Sequence, residues 1–187
     1  MLKHKGTVNL ETDNLILRKF KLADLNSTYE NWYSDYKVIK PVNLELNETI
    51  EDTREMILDL ILGYTDNKNY DFAIVEKKSE EVIGSVQLVN IHENLEKCEI
   101  GFVLGSKFWN KGYMTEAINK VLEFCFNDVK FVRVEAFCAL NNFQSERVLE
   151  KVGMQFEGIL KKGICIRGDF SDGKLFAITD DYFYMRR

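Results

Sequence analysis

The residues best suited to chemistry lie between positions 99 and 117, where an apolar stretch leads into a short loop with one glycine and then into a helix start. In this arrangement several backbone N–H groups and the positive end of a helix dipole point to one place, which suits a phosphate group. Taken alone, an ordinary strand-to-helix turn in which Gly112 relieves backbone strain explains the segment equally well. The expected contacts to a phosphate-bearing ligand come from Asn110, Lys111, Gly112, Tyr113, Met114 and Thr115, with a solvated surface lysine as the alternative for Lys111.

A second polar segment, Asn142-Phe143-Gln144-Ser145, follows about one helix and one strand later. Asn142 and Ser145 fall on the first turn of the next predicted helix. Asparagine is favoured at a helix N-cap, so Asn142 can serve both the helix and a ligand. Together the two segments favour a ligand site over a plain turn.

The hydrophobic pattern predicts the elements that position these segments. It indicates helices at 24–33, 47–63, 113–126 and 142–152, and a loop at 33–46 around Pro41. It indicates strands at 11–20, 71–77, 82–91, 98–104, 132–138, 154–166 and 174–184, with turns at 78–81 and 169–173. This order predicts an α/β (α+β) fold in which a mixed sheet is covered by helices on both faces, in one domain over residues 1–187.

Composition excludes several classes of protein. The 187 residues carry a net charge of −5 without a basic block, so we expect no nucleic-acid partner, and the mild acidity favours a cationic or amine-bearing one. No apolar run approaches the roughly 18 residues that span a bilayer, and no secretion signal is visible, so we expect no membrane partner and a cytoplasmic protein.

Other reaction types lack their residues. The four cysteines form no CxxC pair and are expected to be small buried hydrophobes, and two separated histidines do not make a zinc site, so we expect no metal. A G-x-G-x-x-G segment after a first strand and a P-loop are both missing from the sequence, which argues against a dinucleotide-binding enzyme.

The order of elements and four strings resemble the GNAT superfamily of N-acetyltransferases, and within it the branch of ribosomal-protein N-terminal (RimJ/RimL-like) enzymes. The strings are residues 10–18, 82–85, 98–117 and 142–158. The resemblance runs from about residue 10 to about residue 185 and implies a mostly antiparallel sheet, acetyl-CoA as co-substrate and a primary amine as acceptor. The family's phosphate-loop pattern departs here at Trp109 and Met114. The side chain of Met114 must therefore point away from the cofactor.

The resemblance also assigns roles to the second segment. In the family this Asn contacts the pantetheine arm, and the Ser lies near the thioester sulfur, where Ser145 can protonate the departing thiolate. Many members use a tyrosine one turn later as the acid, but Leu149 stands at that position here.

Amide groups of the strand before the loop can stabilise the oxyanion that forms when an amine attacks the thioester. Phe102, Val103 and Leu104 are the expected cofactor contacts on that strand. Glu99 is the best candidate for the general base because alternation places it on one face with Gly101 and Val103, although a Glu that is exposed or paired with a nearby Lys is an equal alternative. His92 and Glu157 are weaker candidates.

These residues predict an acetyl-CoA-dependent N-acetyltransferase acting on a protein N-terminus or a small amine. The alternative is a catalytically silent acyl-CoA-binding or regulatory domain with the same fold. The acceptor site would be shaped by the first two helices, the Pro41 loop and the last hairpin. Aromatic candidates for its wall are Tyr29, Trp32, Tyr33 and Tyr36, although packing within a core helix explains them equally well. A homodimer through the final strands is also compatible with the sequence.

Overall fold

The computed structural model describes residues 1–42, 44 and 46–186, which form one eight-stranded sheet with helices. The strands are β1 (Leu10–Glu11), β2 (Leu15–Arg18), β3 (Tyr70–Glu76), β4 (Val82–His92), β5 (Lys97–Leu104), β6 (Arg133–Ala139), β7 (Gln155–Ile166) and β8 (Asp169–Thr179). The α-helices are α1 (Leu25–Thr28), α2 (Tyr36–Ile39), α3 (Ile50–Gly63), α4 (Tyr113–Phe124), α5 (Phe143–Lys151) and α6 (Asp180–Met185). Helical turns at Leu22–Asp24 and Tyr29–Tyr33 extend α1, and one at Cys125–Val129 extends α4.

The sheet has the strand order β1-β2-β3-β4-β5-β6-β8-β7. Every neighbouring pair is antiparallel except β5 and β6. The mixed, mostly antiparallel α/β fold expected from the sequence is therefore confirmed. In the part of the chain that the structure describes, no helix is long and apolar enough to cross a membrane.

The parallel pair β5–β6 is short. Its register joins only Lys97–Glu99 to Arg133–Glu135, although β5 continues to Leu104 and β6 to Ala139. Beyond Glu99 the two strands separate, while β5 stays paired with β4 as far as Leu104. Because amide groups alternate sides along a strand, part of the β5 backbone faces this gap without a strand partner.

Two hydrophobic clusters lie on opposite faces of the sheet. One contains the buried side of α4, including Ala117, Ile118 and Val121, and packs against Cys98 and Ile100 of β5. The other joins Trp32, Ile39 and Ile57, from the first helices, to Ala73 and Val103. Strand alternation explains the division, since Ile100 and Val103 are an odd number of residues apart and face opposite sides. Helices on both faces were expected and are observed.

The N-terminal third differs from the prediction in two places. The single strand expected at 11–20 is two strands, β1 and β2, joined by a turn in which the N–H and hydroxyl of Thr12 both contact the carbonyl of Leu15. The loop expected at 33–46 contains α2, which begins because the Asp35 carboxylate accepts a hydrogen bond from the Lys37 N–H. Positions 43 and 45 of that predicted loop lie outside the described residues.

The C-terminus also differs. The turn expected at 169–173 lies within β8, and the chain reverses instead at Arg167-Gly168, between the paired residues Ile166 and Asp169. Both turn residues have positive φ, +50° and +85°, as a two-residue hairpin turn requires. The strand expected to reach Tyr184 ends at Thr179, whose hydroxyl accepts a hydrogen bond from the Tyr182 N–H and starts α6.

Candidate active site

The glycine loop joins the end of β5 to the start of α4. The Trp109 indole Nε1 donates a 2.7 Å hydrogen bond to the Leu104 carbonyl oxygen, which fixes the loop to the strand. Gly112 is the N-cap of α4 with a φ of +83°, a conformation that side chains rarely adopt. A Cβ atom added there meets no atom within 4 Å, so the glycine is required by its backbone conformation and not by crowding.

The N-terminus of α4 presents free donors. The first N–H that bonds within the helix is that of Glu116, which donates to the Gly112 carbonyl. Among the described residues, no side chain caps this helix end. The N–H groups of Tyr113, Met114 and Thr115 therefore lack intrahelical acceptors. They stand at the positive end of a twelve-residue helix, which suits an anionic group.

These donors face a cleft of about 260 Å³ between the end of β5, the glycine loop and α5. Ten of the expected cofactor contacts line it: Phe102, Val103, Leu104, Asn110, Gly112, Tyr113, Met114, Thr115, Asn142 and Ser145. The Met114 side chain is 5% exposed and belongs to the α4 core cluster, in agreement with the expectation that it points away from a cofactor.

Lys111 is the expected contact that does not line the cleft. Its side chain is exposed, and its Nζ lies 5.1 Å from the ring centre of Phe108 and 5.8 Å from that of Tyr113. The cationic groups that do line the cleft are Arg147 and Lys151 on α5, which sequence reasoning missed. They follow Gln144 at helical spacing (i+3 and i+7), a pattern that could have identified them as one face of the helix.

Asn142 and Ser145 lie together at the start of α5. The Asn142 side-chain oxygen accepts a 3.2 Å hydrogen bond from the Ser145 N–H and so caps the helix, as expected. Both residues also line the cleft and a second, larger cavity. Leu149, one turn later, is fully buried in the core and cannot reach either space.

The second cavity has a volume of about 630 Å³ and is lined by residues of both β5 and β6. It shares six residues with the cleft: Pro41, Val42, Phe102, Val103, Asn142 and Ser145. Its remaining wall comes from the first helices, from strands β3 to β6, and from β7 residues that include Leu160 and Ile164. A donor molecule in the cleft and an acceptor in the cavity would meet at this shared boundary.

Glu99 lines the second cavity. Its carboxylate accepts a 2.8 Å hydrogen bond from the Asn90 side-chain amide. The nearby Lys97 contacts Glu135 instead, at 2.9 Å, so the alternative in which Glu99 is paired with a lysine is not observed. The placement leaves Glu99 available to a molecule in the cavity.

Glu135 lies beside Glu99 in the parallel register but belongs to an ion-pair network. Burial alone would raise the pKa of Glu135, but hydrogen bonds from Arg133 and Lys97 outweigh it and lower the pKa below its usual value. Arg133 also lowers the pKa of Glu157, to which it donates at 2.9 Å. Neither Glu157 nor the exposed His92 lines the cavity, so the structure does not bring these weaker base candidates to the site.

The two spaces carry opposite charge. Among the residues that the structure describes, the cavity is lined by the carboxylates of Asp71 and Glu99 and by no Lys, Arg or His. Within the same described ranges, the cleft is lined by Arg147 and Lys151 and by no Asp or Glu. A cationic cleft favours a phosphate-bearing donor, and an anionic cavity favours an amine.

Of the four aromatic residues expected around the acceptor, two line the second cavity. Trp32 and Tyr33 line the cavity. Tyr29 instead donates its hydroxyl to the Glu48 carbonyl, and the side chain of Tyr36 is exposed. In the described part of the chain, no group of three or more His, Cys, Asp or Glu residues is arranged to hold a metal ion.

Comparison with known proteins places this site in a family. The family model described as "Acetyltransferase (GNAT) domain" matches residues 14–155, which include the loop, the gap and the start of α5. The chain is 31% identical over 172 residues to the uncharacterized N-acetyltransferase p20 of Bacillus licheniformis, covering 90% of this chain and 94% of that protein.

Two further relatives are also acetyltransferases. A GNAT-family acetyltransferase from Bacillus anthracis has a crystal structure with a TM-score of 0.80 at 29% identity, covering 93% of this chain and 99% of the other. The [ribosomal protein uS5]-alanine N-acetyltransferase of Escherichia coli is 22% identical over 179 residues, covering 92% and 91%. The chain belongs to the GNAT acetyltransferase family and is an N-acetyltransferase.

Proposed function

We propose that the protein, acting as one domain over residues 1–187, transfers an acetyl group from acetyl-CoA directly to a primary amine. The observation that carries the proposal is the junction of two oppositely charged spaces at the gap between β5 and β6. The cationic cleft suits the phosphates of coenzyme A, and the anionic cavity suits an amine. The six shared residues stand where the two substrates would react.

The cleft has the donor set that coenzyme A requires. Three free amides at the start of α4 suit the pyrophosphate, and Arg147 and Lys151 add positive charge along α5. The β5 backbone groups that face the gap beyond Glu99, on the side away from β4, can hydrogen-bond an extended arm lying there. Bound acetyl-CoA supplies the activated thioester, and the same β5 amides can stabilise the oxyanion that develops on its carbonyl.

Two side chains at the boundary can move the protons. Glu99 faces the cavity, and within the described residues its carboxylate accepts only from the neutral amide of Asn90. It can therefore take the proton of the attacking amine, directly or through water. Ser145 lines both spaces and can donate its hydroxyl proton to the departing thiolate. Asn142 holds the first turn of α5, and therefore Ser145, in place.

The acceptor remains a choice between a protein N-terminus and a small amine. The relation to the uS5-alanine enzyme and the resemblance to the ribosomal-protein branch support the first. The anionic cavity of about 630 Å³, bounded by β7 and by the first helices, is large enough for the second.

The test is a thiol-release assay with the purified protein and acetyl-CoA, with and without panels of small amines and N-terminal peptides. We expect free thiol to appear only when an amine is present, with acetylated amine formed in equal amount. Tight acetyl-CoA binding without turnover of any amine would instead identify a silent acyl-CoA-binding domain.

A further inference from the structure

Asp71 is a carboxylate in the cavity to which the mechanism above gives no role. It lies on β3 opposite Gln87 of β4, which in turn lies opposite Gly101 of β5. Residues that lie opposite one another on neighbouring strands share a face of the sheet. Asp71 therefore lies on the same face as Gly101, two strands away. Two strand spacings amount to about 10 Å, the span from Asp71 to the gap where the thioester would react.

The backbone of Asp71 is anchored, but its carboxylate is not. Its N–H donates to the Thr7 hydroxyl at 2.9 Å, and its carbonyl accepts from the Tyr64 hydroxyl at 2.8 Å. Within residues 1–42, 44 and 46–186, the carboxylate has no hydrogen bond or ion pair. The nearby acid Asp24, by contrast, is held by Arg18 through two hydrogen bonds of 2.7 and 2.8 Å.

Burial raises the pKa of Asp71, and no partner opposes this effect. Burial and the charge of Asp71 together raise the pKa of Tyr33 to about 12, while the nearby Trp32 indole lowers it slightly. A carboxylate in this position is stabilised by a cation that enters the cavity. The aromatic rings of Phe20 and Tyr33, which also line the cavity, suit a cation and the methylene chain attached to it, whereas Trp32 is fully buried behind them in the core.

We propose that Asp71 binds a second positive charge on the acceptor, so that the acceptor is a small molecule with two amino groups, one held at Asp71 and the other acetylated beside Glu99. This inference rests on the proposed acetyltransferase function. Asp71 here determines specificity and takes no part in the proton transfers. A protein N-terminus without a Lys or Arg in its first residues brings only its reacting ammonium group into such a cavity, and peptides of this kind are the main competitors in the test.

The test compares the wild-type protein on α,ω-diamines of increasing chain length, on monoamines of matched length and on N-terminal peptides, each at saturating acetyl-CoA. We expect kcat/KM to be highest for a diamine whose nitrogens span about 10 Å. In Asp71→Asn, we expect the ratio of kcat/KM for that diamine to kcat/KM for the matched monoamine to fall at least about tenfold, mainly through KM. The control Asp59→Asn removes the same charge from an exposed position on α3 and is expected to keep the ratio.

Acetyl-CoA affinity of Asp71→Asn, measured by calorimetry, verifies that the variant is folded. If the wild-type protein prefers monoamines or peptides, or if Asp71→Asn lowers diamine and monoamine turnover equally, the role of Asp71 is overturned while the acetyltransferase function stands. If no amine is acetylated although acetyl-CoA binds, both proposals fail together.

Discussion

The Trp109 indole N–H donates a 2.7 Å hydrogen bond to the carbonyl oxygen of Leu104, the last residue of β5. This single contact ties the strand that borders the gap to the loop that leads into α4. The two halves of the proposed coenzyme A site therefore cannot move independently without breaking it.

Trp109→Phe keeps an aromatic ring and removes the donor. The half-buried Leu104 carbonyl then loses its partner, which costs about 1 kcal/mol. We expect acetyl-CoA affinity to fall about fivefold, as measured by calorimetry. Tyr184→Phe, which removes an exposed hydrogen bond to Asn127, serves as the control, and an equal effect in both variants would refute a specific role of the Trp109 contact.

Gly112→Ala tests whether the backbone conformation of the glycine loop is needed for cofactor binding, because the added methyl group causes no steric clash. The added methyl group meets no protein atom, but alanine at a φ of +83° is strained by about 1 kcal/mol. We expect weaker acetyl-CoA binding, and a larger loss with a bulky residue whose side chain would enter the cleft. Gly168→Ala, at a φ of +85° and also uncrowded, imposes a similar strain in the β7–β8 turn, which does not line the cleft. Acetyl-CoA affinity that is unchanged in the Gly112 variants would falsify the assignment of this loop.

Ser145→Ala separates catalysis from helix capping. The backbone N–H that donates to Asn142 is retained, so α5 keeps its cap. We expect kcat to fall about 100-fold or more because the thiolate loses its proton donor, with acetyl-CoA affinity nearly constant. Ser34→Ala, on the exposed side of the Tyr29 turn, should keep full activity. Full turnover of Ser145→Ala across the pH range would reduce Ser145 to a packing residue.

Glu99→Gln keeps an oxygen that can accept the Asn90 hydrogen bond but removes the base. We expect kcat to fall about 100- to 10,000-fold at neutral pH, and the remaining rate to depend much less on acidic pH. The measurement is the pH profile of kcat/KM for the wild-type protein and for Glu99→Gln. His92→Gln, at an exposed position outside the cavity, should leave the profile unchanged, and a His92 effect larger than the Glu99 effect would exchange their roles.

The ion pairs around Glu135 predict a pH-dependent stability. Its pKa in the folded protein lies below the usual value of 4.5, so its stabilisation is fully present above that pH and is lost as the pH falls through the folded-state pKa. Arg133→Met is expected to lower the free energy of unfolding by about 1–3 kcal/mol at neutral pH, and the difference should shrink below pH 4.5.

Urea denaturation at neutral and acidic pH measures this difference. Lys161→Met removes a partner of Asp172 from an 84% exposed position and should cost clearly less stability than Arg133→Met. A loss of stability in Arg133→Met that does not depend on pH would show that the guanidinium acts through packing alone.

Local features of the site could be read from the sequence because they depend on a few neighbouring residues. Gly112 is needed wherever the chain takes a positive φ before a helix, and Asn142 caps α5 through an amide three residues away. The alternation of β5 fixes the face of Glu99 in the same way. Where a local signal was unusual, the prediction was wrong: Arg167-Gly168 forms the hairpin turn without the Asn-Gly or Asp-Gly pair that normally marks one.

Tertiary structure alone decided which distant residues share a space. The early separation of β5 from β6 opens the gap, and nothing local to either strand specifies where their pairing stops. Lys111 is next to the key glycine in sequence but stays outside the cleft, whereas Arg147 lines it from another helix. In the sequence, Asp71 is one polar residue at the start of a core strand. Only the strand order of the sheet shows that it shares a face with Gly101. Backbone conformation is set over a few residues. The charge of a cavity, the burial of a side chain and the residues that line a site depend on strands and helices brought together from the whole chain.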